Sequence, residues 1–97
     1  MIEIKNLKNE KVTHPWDVRV DRMTPLGNPF FMSNEQWRNF VCDKYERYFE
    51  EKIASDTSLQ RAVEHLIEIY RTYGKLSLFC WCAPNRCHAE TLKRHIE

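Results

Sequence analysis

Three of the four cysteines fall together in Cys80-Trp81-Cys82-Ala83-Pro84-Asn85-Arg86-Cys87, and His88 follows directly. Thiolates and imidazoles bind zinc, and they also serve as nucleophiles and general bases. Three readings of this cluster compete. In the first, Cys80, Cys82, Cys87 and His88 hold a tetrahedral zinc ion as three thiolates and one imidazole. The adjacency of Cys87 and His88 opposes it, because neighbouring residues converge poorly on one ion.

In the second reading, the cluster is a reactive pocket. Cys87 and His88 fall at the start of a predicted helix. The free N–H groups and partial positive charge there favour a thiolate and attract anions. Cys87 is then the catalytic thiol and His88 a hydrogen-bond donor or general base. Arg22 and Arg86 hold a phosphate or carboxylate. Gly27, Asn28 and Cys82 complete the ligand site, with Asn28 reading a polar edge. In the third reading the cluster is structural, since cysteine is among the most buried residue types. That explains Cys80 best and His88 worst.

These residues need elements to hold them. Met1 to Leu7 alternates weakly and suggests a short strand. Asp17 to Arg22 alternates charge with valine, as a strand with one buried face does. The stretch Met23 to Phe31 holds Pro25, Gly27, Asn28 and Pro29, so it is an ordered loop. Ser33 with Gln36 forms a capping-box pattern. It opens a helix running to about Lys52, with Trp37, Phe40, Val41, Tyr45, Tyr48 and Phe49 as its core-facing stripe. Cys42 in this helix is expected to be a packing residue. Asp56 or Thr57 caps a second helix, and Gly74 ends it.

Lys75 to Cys82 is the strongest strand, apolar on both faces as a central strand is. A turn leads to a last helix over about Arg86 to Ile96. The expected fold is α/β: a small, partly parallel sheet packed with three helices, like half of a Rossmann fold. If the second and last strands are parallel neighbours, the loops from Arg22 to Phe30 and from Cys82 to Cys87 line one crevice at the strand ends. Trp81 is expected in the core.

The chain has 97 residues, enough for one domain over 1–97. Fifteen Lys and Arg face fourteen Asp and Glu, which gives no strong electrostatic signal for nonspecific nucleic-acid binding and leaves a local basic patch open. No apolar run reaches membrane-spanning length, and no signal peptide is visible. A cytoplasmic setting is expected, where cysteines are thiols, metal ligands or catalytic groups.

Two stretches together resemble a known family. They are Val20-Asp21-Arg22 with Pro25-Leu26-Gly27-Asn28-Pro29-Phe30, and Leu78 to His88 with its Cys-x-Cys-x-Pro-x-x-Cys-His signature. The chain is similar to small bacterial and phage proteins grouped as domain of unknown function four-three-two-six. The resemblance implies one site containing Arg22, Asn28, Cys80, Cys82, Cys87 and His88. This chain has Ala89 where the family commonly has Gly. The family assigns no activity. Two functions are therefore expected as alternatives: binding or processing of a small anionic or nucleotide-like ligand, or a zinc-stabilised module acting on a host protein.

Overall fold

A computed structural model describes residues 1–30 and 32–97. Phe31, the expected end of the loop after the second strand, lies outside the described residues. Three strands, β1 (Ile2–Asn6), β2 (Asp17–Arg19) and β3 (Leu76–Cys80), form one sheet in the order β1-β3-β2. Both pairings are parallel. The sheet is thus wholly parallel among the described residues, where a partly parallel one was expected.

The middle strand explains itself. All five residues of β3 are buried, matching an apolar segment covered on both faces. Ile2 pairs with Leu76, and Asp17 with Ser77. The second strand is shorter than its alternating pattern predicts, but the Val20 N–H still donates to the Phe79 carbonyl at 2.9 Å.

The helices are α1 (Arg38–Lys52), α2 (Thr57–Tyr73) and α3 (Ala89–Ile96), with a 3-10 turn at Glu35–Trp37 leading into α1. The cap of that turn is Asn34, whose side chain accepts from the Gln36 N–H, so the expected Ser33 cap shifts by one residue. The Asp56 side chain caps α2 by accepting from Leu59, and Gly74 closes it at φ 71°, a conformation only glycine adopts freely. Leu59, Val63 and Leu66 of α2, Tyr45 and Phe49 of α1, and Ala89 and Leu92 of α3 share one core with Leu76 and Leu78.

Two expectations about the aromatic residues change. Trp37 and Phe40 are exposed, so the buried stripe of α1 begins at Val41. They pack edge to face on each other instead. Trp81 is 57% exposed, not in the core.

No described helix is long and apolar enough to cross a membrane.

Candidate functional site

The cysteine turn starts where β3 stops. The strand ends at Cys80, so Cys82 is in the turn and not on the strand as expected. The Asn6 side chain fastens this turn by donating to the Ala83 carbonyl at 2.7 Å. The last helix begins at Ala89, three residues later than expected, which leaves Cys87 just outside it. Cys87 nonetheless behaves as a cap. Its sulfur accepts from the Ala89 N–H at 3.4 Å, and its own N–H donates to the Glu90 carboxylate at 3.1 Å. Glu90 returns a bond from its N–H to the Cys87 carbonyl. This is the reciprocal logic of a capping box.

Two of the three sulfurs meet: Cys80 Sγ and Cys87 Sγ lie 3.0 Å apart, and Cys82 lines the same cleft beside them. Cys80 and Cys87 are almost fully buried, whereas Cys82 is half-buried. The contact with Cys80, the neighbouring Cys82 and burial push the Cys87 thiol up. Cys87 lowers Cys82 against its burial, and the Arg38 guanidinium lowers it further. Cys80 is lowered by Cys87 and by the N–H groups of Cys82 and Ala83. Cys80 and Cys82 are thus both lowered to about 6, and Cys82 is the one of the two with a guanidinium nearby and some access to water.

This corrects the sequence reading, which made Cys87 the low-pKa thiol. The helix start is indeed beside Cys87, but its contact with Cys80 and its burial outweigh it. His88 also differs from a poised base. It is 8% exposed, its Nε2 bonds the Val20 carbonyl, and its ring meets Tyr45 edge to face at 5.0 Å. Burial pushes its pKa below the ordinary value, so the ring is a neutral Nε2–H donor. The imidazole is thereby engaged away from the sulfurs, and the four-ligand zinc arrangement is not assembled. Among the described residues no group of three or more His, Cys, Asp or Glu side chains is arranged to hold a metal ion.

The second wall comes from the segment after β2. The Arg22 guanidinium donates to the carbonyls of Asn28 (2.9 Å) and Phe30 (2.7 Å), closing the loop on itself. The Asn28 side chain accepts from the Phe30 N–H at 2.9 Å. A Cβ on Gly27 would lie 2.5 Å from Arg22 Cα and from the Asp21 carbonyl. Gly27 is needed for this close approach and not for positive φ, which among the described residues only Gly74 adopts. Tyr45 donates to the Leu26 carbonyl at 2.8 Å and holds the loop to α1.

Between these walls lies a cleft of about 610 Å³. It takes in Arg22, Asn28, Cys80, Cys82, Arg86, Cys87 and His88, but Gly27 is not among its lining residues. The sequence reading missed Arg19, Asp21 and Arg38, which also line it. Asp21 is the junction. It accepts from the Trp81 indole at 2.9 Å and from the Arg19 guanidinium. Burial raises its pKa, but these two donors outweigh that and hold the carboxyl below the usual range. Arg38 spans the cleft mouth, bonding Glu35 and the Arg86 carbonyl. Arg86 itself reaches Asn39 and Asp43 on α1. No sequence motif marks Arg38, since its role depends on where α1 crosses the cysteine turn.

No curated protein and no solved structure matches the chain. Residues 2–97 match the family model described as Domain of unknown function (DUF4326), and the chain belongs to that family.

Proposed function

We propose that the cleft binds a small anionic ligand carrying a flat ring, such as a nucleotide. The observation that carries this reading is the lining itself. Four arginines, Arg19, Arg22, Arg38 and Arg86, face one carboxylate, Asp21. Glu35 and Asp43 pair with Arg38 and Arg86 from outside the cleft, so the charge is moderated but not cancelled. The position is that of ligand sites in open parallel sheets, beyond the carboxyl ends of the strands. Trp81 offers an exposed indole whose tilt is fixed by Asp21, a surface on which a base can stack. Met23, Phe30, Met32 and Val41 provide apolar contact beside it.

In this reading guanidiniums meet the phosphate or carboxylate and Trp81 meets the ring. Cys82 is the nearest nucleophile, and Cys87 and His88 support the turn.

Calorimetric titration with nucleoside monophosphates and with inorganic phosphate tests the proposal. We expect saturable binding of the nucleotide that weakens as salt screens the arginines. Trp81→Ala and Arg86→Gln each weaken it roughly tenfold, with folding checked by circular dichroism. Absence of binding, or unchanged affinity in both folded variants, contradicts it.

A further inference from the structure

All four cysteines of the chain line the same cleft, yet they differ in what they can do. Cys42 is buried on α1 with its thiol on the Arg86 carbonyl at 3.7 Å. Of the other three, Cys80 and Cys87 touch, and Cys82 stands beside them in the cleft lining. Cys80 and Cys87 are sealed at 1% and 3% exposure, 3.0 Å apart at sulfur. A disulfide bond is about 2.05 Å long, so roughly 1 Å of approach separates this contact from a bond. Cys82 lines the cleft with Arg38 and the buried pair, and is the member of the trio partly open to it. The trio therefore has an accessible sulfur next to a cation and a buried pair behind it.

We propose that Cys80, Cys82 and Cys87 form a thiol–disulfide exchange site whose oxidant is a small disulfide bearing carboxylates. The Cys82 thiolate attacks one sulfur of the incoming disulfide. The substrate S–S bond breaks, and the first small thiolate leaves and takes a proton from water. Cys87 then attacks Cys82 Sγ. The mixed disulfide breaks, and the Cys87 proton leaves with the second small thiol. Cys80 next attacks Cys87 Sγ, releasing Cys82 as thiolate and its own proton to water. In total two protein thiols are oxidised to a Cys80–Cys87 disulfide, and the small disulfide is reduced to two thiols. Arginines at the cleft favour a carboxylate-bearing oxidant over a neutral or cationic one. The proposal uses these cations but does not depend on nucleotide binding.

The test treats the intact protein, reduced and held in a chelator, with oxidised glutathione, and compares neutral hydroxyethyl disulfide and cationic cystamine. Mass spectrometry is expected to show loss of two hydrogens and no retained glutathione, with Cys80 linked to Cys87 by peptide mapping. Oxidised glutathione is expected to react fastest of the three. Cys82→Ser slows the reaction at least roughly tenfold, and Cys87→Ser accumulates glutathione on Cys82. Cys42 is expected to remain a free thiol in the same peptide map.

Retention of four free thiols in the unaltered protein overturns the proposal, and this readout needs no variant to fold. So does first attack at Cys42, or a Cys82→Ser protein that reacts at the unaltered rate. Equal rates with all three disulfides overturn the role of the arginines.

Discussion

At the residue scale, the site depends on which group carries which proton. His88 is buried against Tyr45 and donates to the Val20 carbonyl, with Asp21 and Arg22 the charged groups that act on it. Its folded pKa lies below the ordinary 6.5, so the unfolded chain binds the proton first. Its contribution to stability is present above about pH 6.5 and is lost as pH falls toward the folded value. Urea denaturation over a pH series is expected to show stability falling through this window. In His88→Gln that slope flattens. Asp17, Asp21 and Glu35, all held below their ordinary values, act only at lower pH, as they approach protonation, whereas Cys80 and Cys82, lowered to about 6, add a slope of the same sign that the variant keeps. An unchanged slope near pH 6 in the variant contradicts the assignment, taking about 6.5 as the unfolded value. The sequence made the cluster legible as three thiols and an imidazole. It did not make legible the division among them, because burial and the Arg38 contact arise from α1, more than forty residues earlier in the chain.

At the element scale, the loop after β2 is held by interactions of its own. Thr24 bonds the Asp21 carbonyl, the Gly27 N–H donates to the Thr24 carbonyl, and Arg22 fastens two further carbonyls. Gly27→Ala is expected to destabilise the fold by on the order of 2 kcal/mol, because the clash is with backbone at 2.5 Å. It is also expected to weaken ligand binding, since Arg22 and Asn28 shift with the loop. A chemical-denaturation midpoint unchanged from the parent protein contradicts this. Pro25, Gly27, Asn28 and Pro29 announced an ordered loop, and β3 announced itself by burial on both faces. Other boundaries were less visible. The helical pattern over Arg86 to His88 fails because Cys87 is used as a cap and in the sulfur cluster. Trp81 escapes the core because Asp21 captures its indole N–H at the rim.

At the scale of the whole molecule, parallel pairing turns two distant segments into one site. Because β2 and β3 run the same way, the chain leaves both at the same end, and Arg22 to Phe30 faces Cys82 to Cys87 across the cleft. The sequence supported this arrangement only on the condition that the strands be parallel neighbours. The register of Asp17 with Ser77 and Arg19 with Phe79 meets that condition. The central claim is that this cleft is where the protein meets its ligand. The most direct measurement is a two-dimensional NMR titration of the folded chain with a nucleoside monophosphate, following backbone amides and indole N–H groups. The account predicts saturable shifts at the Trp81 indole and over residues 19–30 and 81–88, with the outer face of α2 around Glu64 and Glu68 unmoved. Absence of shifts, or shifts confined to α2, contradicts it.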